Sequence, residues 1–202
     1  MVKREEKKQM ILNAAAECFS RLGYDKTTLD DIGGKVSLNK ASLYYYYDSK
    51  EDLFCDVIYA EAQRFREDVR SKIKAIKGVE ERVLFFLTER SKFYKRLKHL
   101  HELTLNVVKK IEPIFHTLQD GIQKEEQALL SEVLDDGIKT GEIKKTDPER
   151  LSAVLLKVSS AMRTPSQMNG MYNGEEAAKL NDVEILDDIR FTTRLILRGI
   201  KD

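Results

Sequence analysis

Residues 39–45 carry side chains that could form hydrogen bonds with DNA. The stretch is short, polar and rich in tyrosine, and such side chains suit base edges and phosphate oxygens. Each residue alone is better explained as a solvated surface residue, but four consecutive tyrosines at 44–47 must leave two rings exposed. The candidate contacts are Asn39, Lys40, Ala41, Ser42, Tyr44 and Tyr45.

Two flanking residues could hold the DNA backbone on either side of this stretch. Thr28 lies at the start of a predicted short helix, where backbone N–H groups attract anions, and Lys50 follows the tyrosines. Residues 1–10 contain four basic and two acidic side chains, a net charge of +2. This N-terminal arm could also reach phosphates, and a frayed, solvated end explains it equally well.

The elements that must position these residues have the spacing of short helices. Apolar residues from Met10 to Leu22 form one stripe of a first helix. Thr27 or Thr28 can cap a second helix, Asn39 a third and Ser49 a fourth. A tight turn between the second and third predicted helices gives the order of elements found in a helix-turn-helix DNA-binding domain.

The rest of the chain also has helical periodicity, and we find no strand pattern in it. The fold class is therefore all-α, with a helix-turn-helix domain over 1–50 and a helical domain over 51–202. We expect a break near Pro113 and a loop over 164–181, which contains proline, glycine and asparagine. The predicted later helices cover 50–76, 79–97, 99–110, 112–137, 148–163 and 182–200.

Composition limits the classes of function. The 202 residues carry a net charge of +1, so the chain lacks the strong overall basicity that would by itself indicate nucleic-acid binding. No apolar run is long enough to span a membrane and no signal peptide is evident, which predicts a cytoplasmic protein. Cys18 and Cys55 lie on apolar helix faces, so we expect buried thiols without a disulfide.

Catalytic and metal-binding patterns are weak. His99 and His101, with Glu102 and His116 nearby, could bind a metal, but His-x-His on a helix points the imidazoles about 200° apart and chelates poorly. No nucleophile–base spacing, phosphate loop or carboxylate pair stands out. We therefore predict no enzyme, no metal site and no cofactor.

The last predicted helix has an apolar arc of about 240°, whereas packing on one side needs only about 100°. Small residues on the preceding helix would permit close helix approach. This pattern predicts a two-fold dimer, and burial in the core of a monomer is the alternative. Asp188 lies inside the arc without an explanation. The predicted interface residues are Leu155, Ser159, Ile185, Ile189, Thr192 and Ile196.

The sequences ILNAAAECFSRLGYDKTTLDDI, starting at Ile11, and SLYYYYDSKEDLF, starting at Ser42, resemble the N-terminal domain of the tetracycline-repressor (TetR) family. The C-terminal residues match only in general layout. The resemblance implies an all-helical homodimeric repressor in which Tyr47 is the buried aromatic that fixes the third helix. It also implies DNA contacts at Thr28, Lys40, Ser42, Tyr44, Tyr45 and Lys50.

Two features depart from the family pattern. Ser37 stands where the family usually has glycine at the turn, which would cost about 1 kcal/mol if that residue needs a positive φ. Gly33 and Gly34 each weaken the second helix by about 1 kcal/mol. They favour the alternative function, a small-molecule-binding or adaptor protein with a degenerate DNA-reading head.

Members of the family usually bind a small molecule among the middle helices, and its entry lowers DNA affinity. Each candidate residue alone is better explained as ordinary core. If a ligand does bind, the aromatic and methionine content of this region favours an apolar or amphipathic effector. The candidate pocket residues are Phe86, Arg90, Phe93, Tyr94, Leu103, Val107, Phe115, Leu118, Met162 and Met168. We therefore expect a ligand-responsive regulator that represses at a palindromic operator in double-stranded DNA, and no membrane association.

Overall fold

Seven helices make up the backbone that the structure describes, with no strand among those residues. The structure is a computed structural model, and it describes the backbone of residues 2–100 and 105–200 and the side chains of residues 4–97, 118–162 and 183–200. The helices are α1 (Val2–Leu22), α2 (Leu29–Lys35), α3 (Lys40–Tyr44), α4 (Lys50–Ile73), α5 (Val79–Leu100), α6 (Leu105–Lys139) and α7 (Pro148–Gly199). The predicted all-α class is confirmed.

The chain divides into two compact units, Met1–Phe65 with Lys95–Ile122, and Arg66–Tyr94 with Gln123–Asp202. In the first unit, the start of α4 packs against α1 through an edge-on contact between Phe19 and Phe54, whose ring centroids lie 5.2 Å apart. Both rings are fully buried, and this burial follows from the apolar stripe of α1. The predicted boundary between residues 50 and 51 stays a prediction.

The second unit brings α5 close to the end of α6. A Cβ on Gly137 would lie 2.5 Å from Cγ2 of Val79, so only glycine allows this approach. Beside it, the Arg82 guanidinium donates to Asp136 at 2.5 Å and to Glu142 at 3.3 Å. These contacts fix the start of α5 against the turn that follows α6.

Several predicted helix boundaries differ from the structure, three of them substantially. The first helix begins at Val2 instead of Met10, and the backbone at Pro113 lies inside α6. The predicted loop over 164–181, with a new helix capped by Asp182, is wrong because α7 is continuous from Pro148 to Gly199. Glycine and proline lower helix propensity by about 1 and 3 kcal/mol, and this local cost does not forbid a helix that longer flanking segments propagate.

Both cysteines are free and buried, as predicted. Burial raises the pKa of the Cys55 thiol to about 11, so this thiol is protonated at neutral pH. Among the described residues, no group of side chains could hold a metal ion, and no helix is apolar and long enough to cross a membrane. The predicted histidine cluster lies outside the described side chains.

Candidate nucleic-acid interface

A capping box fixes the start of α2. The Thr28 hydroxyl oxygen accepts a hydrogen bond from the Asp31 backbone N–H at 3.1 Å, and the Asp31 carboxylate accepts one from the Thr28 backbone N–H at 2.8 Å. The hydrogen bond from the Thr28 hydroxyl, followed by that from its backbone, lowers the pKa of Asp31. Thr28 is exposed at this helix N-terminus, and its contact with a phosphate stays a prediction.

The turn between α2 and α3 depends on a close backbone approach at Gly33. The Leu38 N–H donates to the Gly33 carbonyl at 2.9 Å, and a Cβ on Gly33 would lie only 2.3 Å from the Leu38 carbonyl oxygen. By contrast, nothing lies within 4 Å of the corresponding position on Gly34. Gly33 is therefore part of the turn itself, and only Gly34 lacks a steric reason to be glycine.

Ser37 adopts φ +54°, the left-handed conformation that glycine tolerates best. Among the described residues it is the only non-glycine residue with positive φ. From the sequence we expect an energetic cost at Ser37 only if this residue needs a positive φ, and Ser37 does have one. Serine carries a local cost here, but the turn still forms.

Helix α3 presents its polar side chains outward and its apolar ones inward. Its N-cap is Asn39, whose Oδ1 accepts a hydrogen bond from the Ser42 N–H at 2.8 Å. Leu43 and Tyr47 are buried, which holds the helix against its own unit. On the opposite side Lys40, Ala41, Tyr44 and Tyr45 are exposed, and Ser42 is partly exposed.

Basic side chains lie over tyrosine rings around this helix. The Arg4 guanidinium lies 5.3 Å from the centroid of the Tyr45 ring, which is 67% exposed. At the other end, the Lys50 ammonium lies 4.2 Å from the buried ring of Tyr24. Such cation–π contacts fix the position of a charge without neutralising it. The sequence alone places Arg4 only in an N-terminal arm. In the structure the first residues of α1 bring Arg4 beside the exposed face of α3.

The segment that forms these helices matches a known protein family. The family described as "Bacterial regulatory proteins, tetR family" matches residues 11–57, which run from α1 through α3 into α4. Residues 11–57 are therefore a DNA-binding domain of the TetR type. The chain is a DNA-binding transcriptional regulator of the helix-turn-helix type.

Relatives extend the TetR likeness beyond this domain. An uncharacterized HTH-type transcriptional regulator of Bacillus subtilis, YhgD, is 29% identical over 164 residues, which cover 78% of this chain and 82% of YhgD. The biofilm operon negative regulator IcaR of Staphylococcus epidermidis is 53% identical, but only over 47 residues, 23% of this chain and 25% of IcaR. The strongest identity is therefore confined to the DNA-reading domain.

Solved structures share the fold over nearly the whole chain. A transcriptional regulator from Cytophaga hutchinsonii matches with a TM-score of 0.80 and 23% identity, covering 96% of this chain and 98% of that one. FadR from Bacillus subtilis, solved in complex with stearoyl-CoA, matches with a TM-score of 0.55 and 20% identity, covering 90% and 96%. At this identity the likeness establishes the TetR fold alone.

The predicted effector residues fall into three groups. Phe86, Arg90 and Phe93 are buried in the second unit, where Tyr94 and Met162 are half-buried. Leu118 is half-buried in the first unit. The remaining four, Leu103, Val107, Phe115 and Met168, lie outside the described side chains.

Sequence reasoning missed the partner of Arg90. The Arg90 Nε donates to Oε2 of Glu126 at 2.7 Å, and the Arg90 guanidinium lies 4.9 Å from the centroid of the Tyr94 ring. Both charged side chains are almost completely buried. A lone glutamate on a charged helix is usually a solvated residue, so the only available indication was that Arg90 itself needed a partner.

The predicted dimer residues do not all face outward. Leu155, Ser159 and Ile189 are buried within this chain, while Ile185, Thr192 and Ile196 are partly exposed. Among its described residues α7 exposes Val154 near its start, at 42%, and Val183, Phe191 and Leu195 near its end, at 67%, 65% and 57%. Asp188, which the sequence left unexplained, is exposed on the same part of α7.

Proposed function

We propose that the chain is a homodimeric repressor that binds a palindromic operator in the cytoplasm and releases it when a small apolar or amphipathic effector binds. The observation that carries the DNA-binding part is the orientation of α3. Leu43 of α3 and Tyr47, three residues beyond its end, are buried, while Lys40, Tyr44 and the C-cap residue Tyr45 face solvent. An exposed polar helix held by a capped turn can enter a major groove and reach base edges.

The proposed contacts divide by role. Thr28, Tyr44, Tyr45 and Lys50 contact phosphates and set the position of the protein on the duplex. The residues that would contact the major groove are Asn39, Lys40, Ala41 and Ser42. Phosphate contacts make affinity depend steeply on salt, whereas base contacts make it depend on sequence.

Selection of bound duplexes from a random DNA library, at about 150 mM salt, tests this function. A dimer that inserts α3 into two major grooves should select a palindrome whose half-sites are about one helical turn apart or a multiple of it. Tyr44→Ala and Lys50→Ala should then weaken binding to the selected duplex while circular dichroism stays unchanged. No enrichment at any salt concentration would instead support the degenerate-head alternative.

The dimer part of the proposal rests on the exposed apolar residues of α7. Phe191 lies eight residues after Val183 and four before Leu195, so the three side chains share one face of the helix. If this stripe packs against the same stripe of a second copy, its apolar side chains are removed from water. Both subunits then make the same contact, as two-fold symmetry requires. A dimer is typical of the TetR family, which supports this part of the proposal.

Sedimentation velocity tests the dimer directly. Phe191→Asp should convert the protein to a monomer, because it places a charge in the centre of the apolar stripe. Val154→Asp, at a residue of the same helix that is 42% exposed, is the matched control and should leave the dimer intact. Equal sedimentation of wild type and Phe191→Asp would contradict the proposed interface.

The effector part rests on the buried polar pair of the second unit together with the fold. A buried charge pair amid aromatic side chains is a usual feature of a small-molecule site. FadR, a structural neighbour, was solved in complex with stearoyl-CoA, so a protein of this fold can hold a small molecule. The negative regulator IcaR is similar in its DNA-reading domain, which favours repression over activation.

A further inference from the structure

The buried pair of Arg90 and Glu126 links three helices of the second unit. Arg90 on α5 donates to Glu126 on α6 at 2.7 Å and to the Ser160 hydroxyl on α7 at 3.1 Å. The side chains of Arg90 and Glu126 are 6% and 0% exposed. Removing two charges from water is costly, and apolar residues of similar volume often stabilise a core as well or better. Stability alone therefore gives a weak reason for this pair.

The two carboxylate oxygens of Glu126 differ in their contacts. Glu126 Oε2 accepts from Arg90, but Oε1 is buried and has no hydrogen-bond partner in the part of the chain that the structure describes. Other buried hydroxyls of this unit are satisfied: Ser152 donates to the Glu149 carbonyl at 2.8 Å and Ser159 to the Leu156 carbonyl at 3.0 Å. A buried carboxylate oxygen without a donor is unfavourable, so its presence needs an explanation.

Charge and surroundings restrict what can supply the missing donor. Arg90 already balances the charge of Glu126, and a second cation would leave a net positive charge buried. A neutral hydroxyl or amide N–H satisfies Oε1 without that charge. Phe86 lies four residues before Arg90 and Leu130 four residues after Glu126, on the same helix faces, and both are fully buried.

We propose that Glu126 is the polar anchor of the effector site and accepts a hydrogen bond from a neutral, largely apolar ligand with one hydroxyl or amide donor. This proposal rests on the proposed function, because it assumes that a small molecule regulates the protein. Arg90 is the positioning residue, since its contacts with Glu126 and Ser160 hold the carboxylate between the helices.

The test uses the full chain and matched pairs of probes. Each 4-alkylphenol, from ethyl to octyl, is compared with its methyl ether, which keeps the ring and the alkyl chain and replaces the donor hydrogen by a methyl group. Binding is measured by thermal shift and by ligand-observed NMR without DNA. We expect at least one phenol to bind about tenfold or more tightly than its ether, the difference that one charge-assisted hydrogen bond supplies.

Variants assign the effect to one carboxylate. Glu126→Gln should reduce the preference for the phenol to less than about threefold, since the charged acceptor is lost. Glu125→Gln makes the same change at the neighbouring residue, which pairs with Arg66, and should keep the preference. If Glu126→Gln does not fold, the wild-type comparison still decides. Equal binding of phenol and ether, no binding of either, or an unchanged preference in Glu126→Gln would overturn the proposal.

The outcome separates this proposal from the proposed function. A phenol that binds through Glu126 but leaves operator affinity unchanged would contradict ligand-responsive repression and keep the anchor. An operator complex that dissociates with ligands lacking a donor would keep ligand-responsive repression and reject the anchor.

Discussion

Replacing Gly33 with alanine should disrupt the turn that presents α3. The new Cβ would lie 2.3 Å from the Leu38 carbonyl oxygen and 3.4 Å from Cδ1 of Leu43. The first distance is about 1 Å short of an ordinary van der Waals separation. The contact is with backbone, so a side-chain rotation cannot relieve it. The Leu38 peptide must move, which weakens its 2.9 Å hydrogen bond to Gly33.

The expected destabilisation by Gly33→Ala is about 2 kcal/mol. Overpacking costs about 1–3 kcal/mol and the weakened hydrogen bond about 1 kcal/mol, while the higher helix propensity of alanine returns about 1 kcal/mol. For a chain of this size, 2 kcal/mol corresponds to a decrease in Tm of about 4–8 °C. Because the turn sets the direction of α3, affinity for the selected duplex should also decrease at least about tenfold.

Gly34→Ala is the matched control, because nothing lies within 4 Å of its Cβ position. It should raise the free energy of unfolding by about 1 kcal/mol and leave DNA affinity within about threefold of wild type. Urea denaturation and fluorescence anisotropy with the labelled duplex measure both quantities. If the two alanine variants behaved alike in stability and affinity, the steric explanation of the turn would be refuted.

Three further predictions concern neighbouring features. Ser37→Gly should raise the free energy of unfolding by about 0.5–1 kcal/mol, because glycine relieves the cost of φ +54°; an unchanged urea midpoint would count against strain. Arg4→Ala should reduce the slope of log affinity against log salt by about 0.9 per subunit, and Tyr45→Ala should do the same while Tyr45→Phe does not. The lowered pKa of Asp31 means that its stabilising contribution is complete above its usual pKa and is lost as pH falls through the lowered value. Urea midpoints should therefore fall more steeply below about pH 4 in wild type than in Asp31→Asn, and parallel curves would refute this.

The sequence predicts the DNA-reading unit well because its determinants are local. The caps at Thr28, Asn39 and Ser49 each act on a backbone N–H three residues later, and the structure has all three hydrogen bonds. The burial of Leu43 and Tyr47 follows from helical spacing in the same way. A pattern confined to a few residues can be recognised without knowing the rest of the fold.

Features that depend on distant parts of the chain could not be predicted. The clash that requires Gly33 arises only once the turn brings Leu38 against it, and Glu126 meets Arg90 across 36 positions of sequence. The extent of α6 and α7 was also missed, because breaker residues are weak evidence against a long helix. Helical periodicity predicted the apolar arc of α7. It could not predict which residues of that arc are buried within the same chain and which are left exposed for a dimer.

Repeating the duplex selection with α3 variants tests the central claim, that this helix reads base sequence. Lys40→Ala and Ser42→Ala should each relax the consensus at one or more positions in both half-sites, since a lost base contact removes about 1–3 kcal/mol of discrimination. Lys74→Ala, an exposed lysine beyond the end of α4, is the control and should return the wild-type consensus. The same consensus from wild type and both α3 variants would contradict the account.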